Sequence, residues 1–170
     1  EKLAEMLHAA TRFARRAHSS QIKLTEAKRY KATYDYLVLG AGSGGVASAR
    51  RAASYGAKVG IIEKGRLGGT CVNVGCVPKK IMWSCATIGE ALQDAGDYGH
   101  KITRQGFDWS VIKKSRDAQI TKLNGIYDRL LKNSGCEVIR GEGKFVDAKT
   151  IEVKDSTGAT STVSGEKILI

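Results

Sequence analysis

Apolar and polar positions along residues 34–63 follow the order strand, turn, helix, strand. A β-type run, Tyr34–Leu39, leads into a segment, 40–45, in which four of six residues are glycine. The mostly small residues from Val46 to Ser54 contain no proline and predict a helix. A second apolar run, residues 58–62, ends at Glu63 and predicts another strand. Because one helix connects two apolar strands, the pattern predicts a βαβ unit with parallel strands.

A long helix is predicted for Trp109 to Lys132, where apolar residues recur at intervals of three and four: Leu123, Ile126, Tyr127 and Leu130. The glycine-rich, polar stretch from Asp94 to Phe107 indicates a loop. After the helix, Cys136 to Arg140 predicts a further parallel strand in which Cys136 is buried.

Short β-type runs separated by turn residues follow as far as the C-terminus. Residues 144–146, 150–154 and 160–163 predict a small antiparallel meander, and residues 167–170 predict a return to the parallel sheet. The predicted fold is therefore α/β: a Rossmann-like domain with a parallel sheet and a small meander, which this chain leaves incomplete.

The glycine segment has the spacing G-x-G-x-x-G, with a strand before it and a helix after it. Gly40 permits the tight turn, Gly42 lets a pyrophosphate approach the backbone, Gly45 allows close packing of helix on sheet, and Gly44 lies between them. Glu63 follows about twenty residues later, where a carboxylate accepts hydrogen bonds from ribose hydroxyls. These residues predict a dinucleotide site without a 2′-phosphate.

Two cysteines, Cys71 and Cys76, lie shortly after this unit and before Pro78, the chain's one proline. In a straight helix their Cα atoms would be about 8–9 Å apart, too far for a disulfide, so the segment must bend, and Gly75 permits a bend. Pro78 fits the first turn of a helix, which puts Cys76 near a helix N-terminus that favours its thiolate.

We interpret Cys71 and Cys76 as a redox-active disulfide. Two unreactive cysteines in a loop are the alternative for such a pair in isolation. A metal site fits less well, because Cys85 and Cys136 form no second close pair. A nicotinamide does not itself split a disulfide, whereas a flavin accepts two electrons and passes them to adjacent sulfurs, so the predicted dinucleotide is FAD.

The glycine segment, Glu63 and the run from Gly68 to Lys80 resemble the flavoprotein disulfide reductases, from about Tyr34 to the C-terminus. Within that family the resemblance is greatest to members that reduce glutathione disulfide. It implies a relay from NADPH through FAD to the disulfide, with Cys76 as the thiolate beside the flavin and Cys71 as the thiol that attacks glutathione disulfide.

The resemblance also assigns further residues. Lys79 is expected near the reactive flavin nitrogen, where a cation stabilises an anionic reduced ring, and Thr70, Ser43 and Cys71 are expected to contact the cofactor. Gly143 matches a backbone contact to the adenine portion of FAD.

Residues for the substrate lie on two predicted helices. Ser43 and Arg50 are two helical turns apart and share one face, and an arginine can bind a glutathione carboxylate with two hydrogen bonds. The resemblance assigns Ser43, Arg50 and Tyr127 to this substrate. Without the resemblance, Arg50 would be a solvated helix residue and Tyr127 a core residue.

Composition restricts the class of protein. The chain has 170 residues with 42% apolar content and a formal charge of +11, and it lacks an apolar run long enough to span a bilayer. We expect a soluble globular protein in a reducing compartment. The charge is compatible with an anionic small molecule or with nucleic acid, although only 6% of residues are aromatic and the basic residues are scattered.

The first 33 residues predict a targeting segment that precedes the FAD-binding domain of residues 34–170. Residues 6–25 are basic without an acidic residue and contain an amphipathic helical pattern, which is typical of mitochondrial presequences. An ordinary solvated helix is the alternative. We expect the protein to be mitochondrial, cytoplasmic or both.

The family also requires an NADPH domain and a dimerisation domain, and in a homodimer the partner chain supplies a histidine as acid and base. We expect neither domain in these 170 residues and no turnover by this segment alone. A thioredoxin-reducing relative is the nearest alternative, and a non-catalytic module that binds flavin or nucleic acid is another.

Overall fold

The computed structural model describes residues 31–170. The predicted targeting segment, except for its last three residues, lies outside the described residues. None of the described helices combines the length and the apolar character that a membrane crossing requires.

The glycine segment connects a strand and a helix, as predicted. Strand β1 is Lys31–Leu39, helix α1 is Ser43–Ser54 and strand β2 is Val59–Glu63. The two strands are parallel, with Tyr36 opposite Val59. The βαβ unit is confirmed, although β1 begins before Tyr34, because residues 31–33 pair with the last strand of the chain.

After β2 the chain forms helices first and then four consecutive strands. Two helices follow β2, a short and a long one: α2, Gly69–Asn73, and α3, Cys76–Asp94. A 3-10 helix, Ala95–Tyr98, and a segment without regular structure lead to α4, Trp109–Asn133. The last four strands are β3, Glu137–Arg140, β4, Glu142–Phe145, β5, Thr150–Lys154, and β6, Thr160–Leu169.

All six strands belong to one mixed sheet in the order β3-β2-β1-β6-β5-β4. Strand β3 is parallel to β2 and β6 is parallel to β1, whereas β5 is antiparallel to both β4 and β6. The prediction of a meander and a separate final strand is corrected here, because β6 is one continuous strand that serves both. Gly165 and Glu166 do not interrupt it: the Gly165 amide donates to the Lys149 carbonyl at 2.9 Å, and Glu166 pairs with Lys149.

Alternate residues of β1 and β2 enter two different cores. On one face of the sheet Val38 and Ile61 pack with the helices, against Ala49 of α1, Leu131 of α4 and the buried Cys136. On the other face Leu37 and Ile62 pack against residues of the antiparallel strands, Ile151, Val153 and Val163. The antiparallel part of the sheet therefore folds over the second face of the parallel strands and covers it as a layer.

Helix α3 contains no buried residue and presents an apolar face. Its Trp83 and Ile88 are more than half exposed, as are Phe107, Trp109 and Val111 nearby. Together with the segment before α4 the helix borders a groove of about 1150 Å³. Exposed apolar side chains that lie together in this way mark an interaction surface in many proteins.

The two-layer arrangement predicts that Ile151 is a core residue of the meander layer. We expect Ile151→Ala to lower the free energy of unfolding by about 2–4 kcal/mol, because it removes three buried carbon atoms and leaves a cavity. The matched variant Ile102→Ala, at a position 48% exposed, should change it by less than about 0.5 kcal/mol. Urea unfolding measures both, and equal losses would contradict the assignment of the layer.

Candidate dinucleotide and redox-cysteine site

The glycine segment forms a tight turn at the carboxyl end of β1. Gly40 has a φ of +105°, which only glycine adopts readily, and its amide donates to the Ile62 carbonyl at 2.8 Å. A Cβ on Gly45 would overlap the Gly40 carbonyl oxygen, so glycine is required for the turn to pack against α1. Helix α1 begins directly after Gly42, and the amides of its first turn have no partners within the helix. This end of the helix suits a diphosphate.

Glu63, at the end of β2, is held against the same turn. Its Oε2 accepts a hydrogen bond from the Ala41 amide at 2.8 Å, and its Oε1 accepts one from the Gly65 amide at 2.7 Å. Gly40, Glu63 and Gly143 line one cavity of about 240 Å³. A Cβ at Gly143 would come within 2.5 Å of Leu39 Cδ1, so only glycine keeps β4 this close to the sheet. The structure thus brings together three of the predicted cofactor residues, Gly40, Glu63 and Gly143. The cavity that they line fits part of a dinucleotide.

The cysteine segment is joined to the glycine turn through its backbone. The Gly68 amide donates to the Ala41 carbonyl at 2.8 Å, and Gly68 forms a β-bridge with Gly42. Gly68 and Gly69 both have positive φ values, +96° and +59°. A Cβ on Gly69 would lie 2.8 Å from Gly42 Cα, so side chains at this point would force the two segments apart.

Cys71 and Cys76 follow this contact, one in a short helix and the other at the start of a long one. Cys71 is half-buried in α2, and Cys76 is the exposed first residue of α3, with Pro78 in the first turn as predicted. Both are free thiols in the structure, and their pairing as a disulfide remains a prediction. The bend between them occurs at Val74 and Gly75, where a Cβ on Gly75 would approach the Thr70 carbonyl oxygen at 3.0 Å.

Cys71 interacts with Cys76 and with the start of helix α1. The neighbouring Cys76 thiol and partial burial raise the pKa of Cys71 above its usual value, whereas a hydrogen bond from the Ser43 hydroxyl lowers it. The two cysteines are also adjacent in the backbone, since a Cβ on Gly75 would lie 3.5 Å from Cys71 Cα. The bridge between Gly42 and Gly68 joins their segment to the helix end that suits a diphosphate. This juxtaposition is the arrangement that a disulfide beside a bound dinucleotide requires.

A model of the family described as pyridine nucleotide-disulphide oxidoreductase matches residues 34–170. The chain belongs to the pyridine nucleotide-disulphide oxidoreductase family. A second family model, described as polymerase A arginine-rich C-terminus, matches residues 2–55, less than half of the chain and largely outside the described residues.

Three curated relatives of this chain are each named glutathione reductase. The protein of Yarrowia lipolytica is 49% identical over 148 residues, covering 81% of this chain and 31% of its own length. The protein of Schizosaccharomyces pombe is 49% identical over 139 residues, covering 81% and 30%, and that of Debaryomyces hansenii is 54% identical over 122 residues, covering 68% and 25%. The chain spans less than a third of the length of each.

The other predicted cofactor residues of this chain lie in the first turns of the helices at this site. Thr70 precedes Cys71 in α2 and is exposed, and Gly44 is exposed in the first turn of α1. Lys79 is exposed in the first turn of α3, where its amide donates to the Gly75 carbonyl at 2.9 Å. Their contacts to a cofactor remain predictions. Within residues 31–170 no three His, Cys, Asp or Glu side chains gather as a metal site would require.

The predicted substrate residues lie on α1 and α4. Arg50 is half-buried, and its Nε donates to the Ser134 hydroxyl at 3.1 Å, which uses one of its three guanidinium nitrogens. Tyr127 is partly buried and packs with its ring against the helix-side core. Its core role is therefore observed, and contact of either residue with a substrate remains a prediction.

Sequence patterns missed two asparagines, Asn73 and Asn124, that hold the cysteine segment. Asn73 lies within the two-cysteine motif and was overlooked because its neighbours carry the reactive groups. Asn124 lies three residues before Tyr127 and next to Leu123, so it is a polar residue beside an apolar helical stripe. That interruption was the available signal.

The interactions of Cys71 predict two opposite shifts of its pKa. Cys76→Ala should lower the pH at which alkylation of Cys71 is half-maximal, since Cys76 is the main cause of the raised pKa. Ser43→Ala should raise that pH, because it removes a hydrogen bond to the thiolate. The rate of reaction with iodoacetamide against pH, followed on the Cys71 peptide by mass spectrometry, measures both. Cys85→Ala is the control. A higher half-maximal pH in Cys76→Ala would contradict the proposed contact between Cys71 and Cys76.

Gly45 and Gly44 provide a matched test of the glycine turn. We expect Gly45→Ala to lower the free energy of unfolding by about 1–3 kcal/mol, because the added methyl overlaps the Gly40 carbonyl. A Cβ at Gly44 meets no atom within 4 Å, so Gly44→Ala should be neutral or slightly stabilising. Urea unfolding of the two variants measures the difference in unfolding free energy. Equal values would contradict the close packing of the glycine turn on α1.

Proposed function

We propose that a full-length protein that contains this segment reduces glutathione disulfide to glutathione with NADPH. By full-length we mean a chain as long as the relatives. The observation that carries the proposal is the backbone contact of Gly68 with Ala41 and Gly42, which brings the segment of Cys71 and Cys76 to the first turn of α1, where a dinucleotide fits. The names of the three relatives support the choice of glutathione disulfide. Such an activity maintains cellular thiols in their reduced state.

The bound dinucleotide is FAD in this proposal. The amides at the start of α1 would bind its diphosphate, and Glu63 and Gly143 would border its ribose and adenine. When bound, FAD supplies the chemistry that accepts two electrons from NADPH and delivers them to a sulfur pair. The residues of this chain hold that group, and Lys79 provides a positive charge on the first turn of α3.

The thiols then exchange with the substrate. The Cys71 thiolate attacks one sulfur of glutathione disulfide and forms a mixed disulfide, which releases one glutathione. The Cys76 thiolate attacks the Cys71 sulfur and releases the second glutathione, which leaves the Cys71–Cys76 disulfide for the next reduction. Two electrons pass from the thiol pair to the substrate, and two protons accompany the two glutathione thiols.

Proton removal from Cys71 needs a base beyond its immediate neighbours. The pKa of Cys71 is raised, and the Ser43 hydroxyl that acts on it is not a base at neutral pH. This supports the proposal that a histidine of a second chain serves as acid and base in a homodimer. The exposed apolar face of α3 is further support for a covering domain or chain.

Two aspects of the cellular context are also proposed. The basic residues 6–25 support mitochondrial import of one form, with a cytoplasmic form as the alternative. Oxidised thioredoxin is the competing substrate, because the two-cysteine motif alone does not distinguish the two activities.

The test of the function is NADPH consumption by the full-length protein with each substrate. We expect turnover with glutathione disulfide at least about a hundredfold more efficient than with oxidised thioredoxin, since small polar contacts discriminate at this scale. The reverse preference would overturn the proposed substrate. The 170-residue segment alone should show no steady turnover, and turnover by it would contradict the requirement for further domains.

Arg50 and its neighbour Arg51 provide a matched pair for substrate binding. Arg50→Ala in the full-length protein should raise KM for glutathione disulfide at least about tenfold with a smaller change in kcat, because a charge-assisted carboxylate contact is lost. Arg51 lies over the Tyr55 ring, 4.7 Å from its centroid, and Arg51→Ala should leave KM within about twofold. Equal effects on KM would remove Arg50 from the substrate site.

A further inference from the structure

Helix α4 is connected to the cysteine segment by a pair of side-chain amides. The Asn124 Nδ2 group of α4 donates to the Leu67 carbonyl at 2.8 Å and to Asn73 Oδ1 at 2.9 Å. Asn73 lies in α2, two residues after Cys71. A residue distant in sequence therefore contacts the turn that carries one of the two thiols.

Asn73 in turn fixes the backbone that precedes the cysteines. Its Nδ2 donates to the carbonyls of Gly69 at 2.8 Å, Leu67 at 3.1 Å and Arg66 at 3.3 Å. An amide group has two hydrogens, so one of them is shared between two of these carbonyls. The Leu67 carbonyl accepts from both asparagines, which uses both of its lone pairs.

This segment needs such support because its conformation is unfavourable on its own. Gly68 and Gly69 are consecutive residues with positive φ, and glycine loses more conformational freedom on ordering than any other residue. Helix α2 contains only five residues, Gly69–Asn73, and cannot persist by its own hydrogen bonds. The two asparagines supply tertiary hydrogen bonds at the beginning and the end of this turn.

We propose that Asn124 and Asn73 act as one positioning unit, an amide clamp, that holds Cys71 next to Cys76. The inference rests on the proposed function, because it concerns the disulfide that this function uses. Neither asparagine is a catalytic residue. Their effect is on the effective concentration of one thiol for the other, which determines how readily the pair closes.

The reaction that reports on the clamp is exchange with glutathione. Glutathione disulfide oxidises the two thiols to the Cys71–Cys76 disulfide and is itself reduced to two glutathione molecules, so the electrons and protons of the pair pass to glutathione. A loosened Cys71 closes less readily. The equilibrium constant for disulfide formation falls, and the reduction potential of the pair becomes less negative.

The experiment uses the 170-residue chain in buffers of varied glutathione and glutathione disulfide. Free thiols are trapped with iodoacetamide, and the peptide that contains both cysteines is quantified by mass spectrometry. Asn124→Ala should lower the equilibrium constant about tenfold, a shift of about 30 mV for a two-electron couple. Asn124→Asp keeps the volume but loses the amide donor, and it should shift the potential in the same direction.

A double-mutant cycle distinguishes a shared unit from two separate contacts. If the asparagines act together, Asn73→Ala with Asn124→Ala should shift the potential no further than the larger single change. Asn133→Ala, at an exposed site near the end of the same helix, is the control and should leave it unchanged. Additive shifts of the two single variants would overturn the shared unit.

The outcomes separate this inference from the proposed function. If the unmodified chain forms no Cys71–Cys76 disulfide in any glutathione buffer, the redox pair is wrong. If the disulfide forms but Asn124→Ala and Asn124→Asp both retain the unmodified potential, the clamp is wrong and the pair stands.

Far-UV circular dichroism checks that each variant is folded, which is expected because Asn124 is half-exposed and alanine favours helices. A loss of unfolding free energy without a shift in potential would indicate a purely structural role and overturn the proposal.

Discussion

The contact on which the site depends is made by backbone alone. The turn after β1 and the segment before Cys71 meet at Gly42, Gly68 and Gly69, joined by the hydrogen bond from the Gly68 amide to the Ala41 carbonyl. Since a side chain at Gly69 would separate the two segments, glycine at this point determines how close a sulfur pair comes to the end of α1. The predicted dinucleotide site and the two thiols thus share one structural unit.

The sheet and its two layers fix that unit in place. Leu37 and Val38 are adjacent in β1 but enter opposite cores, so the strand that leads into the glycine turn is held from both sides. Helix α4 packs on one layer and also reaches the cysteine segment through Asn124. The same helix carries Tyr127, so the elements proposed for substrate contact and for thiol positioning are rigidly connected.

Local patterns predicted most of the fold because the strands and helices are strongly periodic. The βαβ unit, the helix of residues 109–132 and the parallel strand after the buried Cys136 were identified from spacing and turn residues. The continuity of β6 was missed, because the polar pair Gly165 and Glu166 resembles a break until Lys149 of a neighbouring hairpin is seen to satisfy both. The role of Asn124 was missed for a similar reason. Its partners, Leu67 and Asn73, are more than fifty residues away in sequence.

The central claim is that the two thiols lie beside the bound cofactor. Its most direct test is the visible absorption spectrum of the full-length, FAD-loaded protein before and after reduction by two electrons. A thiolate in contact with an oxidised flavin ring gives a long-wavelength band. That band should appear in the unmodified protein and in Cys85→Ser and be absent in Cys76→Ser. A reduced, flavin-loaded protein without the band, or a band that survives Cys76→Ser, would contradict the proposal that Cys76 lies against the flavin.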